Sequence, residues 1–134
     1  MGFIMLIKEL YWIAGFLEGE GCFYYSNSSV ISANQVQQEP LLRLQKLLGG
    51  SLYRAKARPK PCQRIYVWTI TGQRAVAIMM TVFSLMSPKR KKAITKAISR
   101  WKKAALHNKY KTHCPKGHLY KRIKSNGRRA CVQC

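Results

Sequence analysis

One glycine-punctuated run, "IAGFLEGEG" from Ile13 to Gly21, constrains the fold more than any other stretch. Upstream, Leu6, Leu10, Ile13, Ala14 and Leu17 recur at helical spacing and predict a helix over 6–18. Strand-forming residues begin immediately after the glycines, at Cys22-Phe23-Tyr24-Tyr25. Gly15 and Gly19 lie four apart and share a helix face, where the missing Cβ lets a second helix approach closely. Glycine is also common at an ordinary helix C-terminus.

The downstream pattern alternates in kind. Residues 22–27 and 30–36 read as strands joined by turn chemistry at Ser26 to Ser29. Residues 39–48 read as a helix with Leu41, Leu44 and Leu48 inward, stopped by Gly49-Gly50. Strands are expected over 51–57 and 63–70, around a basic loop containing Pro59 and Pro61. A third helix over 73–86 is apolar nearly all round and is expected to be buried. Ser87-Pro88 opens a fourth helix, with Ser as N-cap and Pro at the first position. The order is αββαββαα. It predicts an α+β fold: a four-stranded antiparallel sheet with helices on one face and the other face free.

Charge says what that free face meets. The chain has 25 Lys and Arg against 4 Asp and Glu, a net +21 over 134 residues. Clustered cations displace condensed counterions from a phosphate backbone, so nucleic acid is the expected partner. The charge is spread through periodic apolar sequence, which argues against a disordered basic tail. On the fourth helix Lys92, Lys96, Arg100 and Lys103 form a stripe of one sign, which repels itself unless a polyanion lies alongside. The opening segment carries Lys8 and Glu9, lacks a basic leader region and falls short of the ~20 apolar residues of a membrane span. No membrane partner is expected; the protein reads as intracellular, with reduced thiols.

The four acids are Glu9, Glu18, Glu20 and Glu39, and two of them flank Gly19. Glu20 is placed just past the expected helix end, where the negative pole of the macrodipole costs about 0.3–1 kcal/mol. A divalent cation such as Mg²⁺ or Mn²⁺ would offset that cost, since these ions favour carboxylate oxygen, water and phosphate. Spacing alone leaves open that both carboxylates are surface groups paired with lysines.

The run from Ile13 to Gly21, followed by Cys22-Phe23, resembles the signature helix of the LAGLIDADG homing endonucleases. "QEPLLRLQKLLGGSLYR" from Gln38, "YVWTITG" from Tyr66 and "SPKRKKAI" from Ser87 follow in the family's order, and the resemblance covers about residues 6–106. It implies the αββαββα fold of that family. It also implies a site-specific double-strand DNA endonuclease. Glu20 matches the metal-binding acid, and Gly19 can lend its carbonyl. Gln35 resembles a water-holding polar residue and Lys89 a base that steadies phosphate charge. Ala14, Gly15 and Glu18 match the helix-pairing positions, Glu18 as a capping or packing group rather than a ligand. Glu stands where Asp is usual at both acidic positions, and Cys22 where a small polar residue is usual. A single motif in a chain that must cut two strands implies a homodimer on a pseudo-palindromic site. Base readout is expected from the sheet: Tyr24, Ser26 and Ser28; Ser32 and Asn34; Arg54, Lys56 and Arg58, which share one parity; and Arg64 and Lys91. A register slip of one residue reverses such assignments. The remaining alternatives are a non-cleaving DNA-binding protein or an RNA maturase on the same scaffold.

The tail, "CPKGHLYKRIKSNGRRACVQC", is a second site. Cys114, His118, Cys131 and Cys134 make a Cys-x3-His, Cys-x2-Cys set suited to structural Zn²⁺, with His113 a poorer substitute for His118. The segment resembles the small Cys-His zinc modules attached to phage-type homing and HNH endonucleases. Ser125-Asn126-Gly127 reads as a hairpin turn. Lys116, Lys121, Arg122, Lys124, Arg128 and Arg129 surround the set and predict flanking DNA contacts. The expected organisation is a domain over 1–106, a linker over 107–113 and a zinc module over 114–134.

Overall fold

A computed structural model describes residues 6–110, 112–120, 122–123, 129–131 and 133. The chain falls into two compact units, Met1–Trp101 and Lys102–Cys134. The elements of the first unit begin with helix α1 (Ile7–Glu20), strands β1 (Gly21–Tyr25) and β2 (Ser29–Gln35), and helix α2 (Glu39–Leu48). Strands β3 (Ser51–Arg54) and β4 (Tyr66–Thr71), helix α3 (Gly72–Val82) and a 3-10 turn at Phe83–Leu85 follow. Helix α4 (Pro88–Tyr110) leads out of it, and β5 (Arg122–Ile123) and β6 (Arg129–Ala130) form a short antiparallel pair in the second.

The sheet order is β1-β2-β4-β3, antiparallel throughout. Because side chains alternate along a strand, register assigns each residue to a face. Phe23 pairs with Ile31, Ala33 with Trp68 and Ile31 with Ile70. These five are buried and carry the core, against Ile13, Ala14 and Leu17 of α1, Leu41 and Leu44 of α2, Ala75, Met79 and Val82 of α3, and Ile94 and Ala97 of α4. The opposite parity holds Cys22, Tyr24, Val30, Ser32, Asn34, Ser51, Tyr53, Val67, Thr69 and Thr71, of which Val30 alone is buried. The α+β architecture with one helix-covered face is the one the sequence predicts.

Two joints fix the frame. At the end of α2, Gly50 adopts φ 91°, and a Cβ there would stand 2.7 Å from the Thr69 carbonyl oxygen. The buried Trp68 donates its Nε1–H to Gly49 O at 2.8 Å, and Arg74 donates to Leu48 O at 3.2 Å, satisfying the last carbonyls of the helix. At the end of α1, Gly21 donates to Leu17 O. A Cβ on Gly21 would lie 2.5 Å from that same oxygen, so only glycine lets β1 leave the helix this closely.

Several boundaries differ from expectation. The first helix runs through Glu20, which is its last residue rather than one just beyond it. Strands β3 and β4 are shorter than 51–57 and 63–70. Their pairing extends one further bond, Ala55 N to Ile65 O, before the loop with Pro59 and Pro61, which have no N–H to give a ladder. The third helix is not buried all round. Ala75, Val76, Met79 and Val82 face the core, while Met80 is 57% exposed and Phe83 and Leu85 are also exposed. Residues 107–110, expected as linker, continue α4. The expected turn at Ser125 to Gly127, and Lys121, Lys124, Arg128 and Cys134, lie outside the described residues.

Candidate functional site

The four carboxylates are not equivalent. Glu9 sits in the first turn of α1, where its Oε2 accepts the Leu6 N–H at 3.2 Å. Glu39 opens α2. Glu18 reaches the start of α4, where its Oε2 accepts the Ser87 N–H at 3.1 Å. All three meet the positive end of a helix, the favourable place for an anion. Glu20 alone stands exposed at the negative end of one, the last residue of α1.

Glu18 also ties two chain segments together. Arg90 donates its Nε–H to the Glu18 carbonyl at 3.1 Å. Hydrogen bonds from the Ser87 hydroxyl and then its backbone N–H, with the Arg90 charge adding to them, hold the Glu18 carboxyl below its ordinary value against a smaller opposing effect of burial. The C-terminal turn of α1 is thereby fixed to the first turn of α4. Glu20 lies two residues beyond the tie on one helix and Lys89 one residue short of Arg90 on the other, both exposed. Arg90, which the motif reading did not single out, makes this joint. Nothing local in the sequence signals a contact between positions 72 apart.

Gln35 ends β2 opposite Tyr66 and is partly buried. The β1–β2 register sets Gly21 against Ala33, so the strand end bearing Asn34 and Gln35 runs on past the point where α1 turns into β1. Fold and register thus gather the end of α1, the end of β2 and the start of α4. Glu20 and the Gly19 carbonyl are hard oxygen donors suited to Mg²⁺.

The remaining expected positions divide. Tyr24, Ser32 and Asn34 lie on the open face. Ser26 and Ser28 are in the hairpin turn rather than on a strand; Ser26 N–H donates to Ser28 O at 2.8 Å, across Asn27 at φ 56°. Arg54 is corrected to the helix-side parity: it pairs with Tyr66, and its guanidinium lies 5.7 Å from that ring's centroid. Tyr53 holds the open-face place instead. The apolar Leu52, inward beside Trp68, was the signal for this parity. Lys56 and Arg58 follow β3 in the loop, and Arg64 donates to Ala55 O at 3.2 Å. Lys91 is partly buried, with its ammonium 5.7 Å from the Phe83 ring. Ala14 is buried in its own chain's core, so its side chain is not offered to a second chain; Gly15 and Gly19 are exposed.

In the second unit, Cys114 N–H donates to His118 O at 2.8 Å and Gly117 N–H to Cys114 O at 2.9 Å, forming a tight knuckle with Gly117 at φ 84°. The ligand atoms of Cys114, His118 and Cys131 lie within 4.8 Å of one another. Both sulfurs stand 3.6 Å from His118 Nδ1. Tetrahedral zinc with bonds of about 2.3 Å to sulfur and about 2.0 Å to nitrogen would set sulfur and nitrogen about 3.6 Å apart. The cluster could hold a metal of that kind. His113 is not in it; its Nδ1 is 2.7 Å from Thr112 Oγ1.

A one-motif α+β unit with this sheet and these helix ends has the homing-endonuclease fold. An archaeal intron-encoded homing endonuclease, I-Vdi141I, solved in complex with DNA, matches with a TM-score of 0.56 at 22% identity, covering 76% of this chain and 74% of its own. The homing endonuclease I-CvuI, crystallised with its target in the presence of calcium, matches at 0.50 and 19%, covering 74% of this chain and 73% of its own. No protein-family model and no curated protein matches the chain. At these identities the likeness is one of fold. Among the described residues, no helix is long and apolar enough to cross a membrane.

Proposed function

We propose that the chain is a homodimeric, metal-dependent, site-specific DNA endonuclease whose tail is stapled by structural zinc. The observation that carries this reading is Glu20, the one carboxylate of four at the negative end of a helix, exposed on a helix joined through Glu18 to the start of the helix that carries Lys89. A net charge of +21 and an open sheet face bearing Tyr24, Ser32 and Asn34 support duplex DNA as the substrate, as do the DNA complexes of the fold relatives.

Glu20 and the Gly19 carbonyl would hold the divalent ion. Such an ion supplies an activated water and neutralises developing charge on the leaving oxygen. Gln35 orients water by hydrogen bonding, and Lys89 places a positive charge against the scissile phosphate. One Glu20 per chain serves one strand, so two copies are needed for two. The exposed face of α1 supports that pairing. Ile7, Tyr11, Gly15 and Gly19 recur every four residues along it, Ile7 71% and Tyr11 58% exposed. Cys114, His118, Cys131 and Cys134 would bind zinc, whose thiolate and imidazole ligands close the site to catalysis.

Duplexes spanning the uninterrupted host locus, incubated with Mg²⁺ or with EDTA, test the reading. Double-strand cleavage of the intact site, dependent on the metal and absent from the interrupted one, is expected. Tight binding without any cleavage would leave a DNA-binding protein on this scaffold and defeat the enzyme reading.

A further inference from the structure

A second surface of the first unit adjoins the open sheet face along its β1 edge, with Tyr24 at the border of the two. β1 is an edge strand, with β2 on one side only. α4 runs beside it, anchored by the buried Ser29 hydroxyl, which donates to Ala97 O at 3.3 Å. Between strand and helix is a groove of about 280 Å³, lined by Phe23, Tyr24 and Tyr25 of β1 and by Ala93, Lys96, Ala97 and Arg100 of α4. Lys92 continues the cationic wall one turn further, and Lys92, Lys96 and Arg100 are all exposed. None of the chain's four carboxylates belongs to β1 or α4. The wall is therefore purely positive, with no internal neutralisation.

We propose that this groove binds a single strand of nucleic acid, with phosphates along Lys92, Lys96 and Arg100 and a base against the tyrosines. Basic grooves lined with aromatic rings are the usual solution for unpaired strands, whose bases are free to stack. From Lys92 to Arg100 the helix rises about 12 Å at about 1.5 Å per residue, so its three cations are set one turn apart along the path of one strand. The space is too small for a duplex, whose major groove alone is about 12 Å wide and whose stacked bases would not reach Tyr25. The site is independent of whether the chain cuts duplex DNA.

Fluorescence anisotropy of the full chain with labelled dodecathymidylate, dodecauridylate and an abasic DNA dodecamer, across a salt series, tests it. The two sugars distinguish DNA from RNA as the source of the strand, and binding of either supports the site. The log–log salt slope should be near −2 for three phosphate contacts at about −0.7 each, and should fall to about −0.7 in Lys96→Ala/Arg100→Ala. The abasic strand should bind at least about five-fold more weakly, from lost stacking. Duplex affinity, measured in parallel, should change less than single-strand affinity in the double variant. No single-strand binding, an unchanged slope, equal binding of the abasic strand, or equal loss of duplex and single-strand binding would overturn the proposal. Failure of the wild type to bind duplex DNA would instead count against the endonuclease reading and leave the groove standing.

Discussion

Gly15→Ala separates the properties of one chain from those of a pair. In the single chain Gly15 is an exposed mid-helix glycine, and an added Cβ would meet nothing within 4 Å. Helix propensity alone then favours alanine, by about 0.5–1 kcal/mol. For a chain of this size that is a rise in Tm of about 2–5 °C. If Gly15 is where two α1 helices approach backbone to backbone, the same methyl is driven into the facing helix. Overpacking of that kind costs about 1–3 kcal/mol, and a symmetric interface meets it twice. The variant should therefore be more stable as a dilute monomer and a poorer dimer. Sedimentation equilibrium gives the association constant, and thermal melts over a hundred-fold range of concentration give monomer stability and its mass-action dependence. A Gly15→Ala chain that gains stability and self-associates as well as the wild type would refute the α1 dimer.

Other perturbations probe other joints. Gly21→Ala puts a Cβ 2.5 Å from Leu17 O in a backbone conformation alanine otherwise tolerates, and should cost about 1–3 kcal/mol by chemical denaturation; a neutral result would remove the close-approach explanation. The lowered carboxyl of Glu18 contributes stability that is present above its ordinary value of 4.5 and lost as pH falls through its folded value. Glu18→Gln should therefore flatten the acid limb of the stability profile below that pH, and identical profiles would show that the Ser87 and Arg90 contacts carry no charge-dependent stability. Metal analysis should find about one zinc per chain, released by chelation with loss of the tail's ordered amide signals; a folded, zinc-free tail, or normal zinc in Cys131→Ser, would contradict the four-ligand set.

The fold was largely legible because its signals are local. Leu10, Ile13, Ala14 and Leu17 state a helix face by spacing, and Gly49-Gly50 and Ser87-Pro88 state a stop and a start. Knuckle spacing alone brought Cys114 and His118 together. What failed was information that only pairing supplies. Arg54 drew attention as a cation, yet the parity of β3 is set by Leu52 packing inward beside Trp68, which makes Tyr53 the outward residue. The apolar third helix looked buried because hydrophobicity does not distinguish a core from a face left open in one chain, as at Met80. The Glu18–Ser87–Arg90 joint spans some 70 residues, and no periodicity encodes it.

The central claim is that Glu20 brings metal to a phosphate, and Glu20→Gln tests it most directly. Single-turnover cleavage and duplex affinity should be measured together on wild type and variant, with Mg²⁺ and with Ca²⁺. The amide keeps the size of the side chain and removes its charge from an exposed position, so folding and duplex binding should persist. Cleavage should fall by about two to three orders of magnitude, the scale on which a lost electrostatic stabiliser acts. Wild-type cleavage rates in Glu20→Gln would contradict the account.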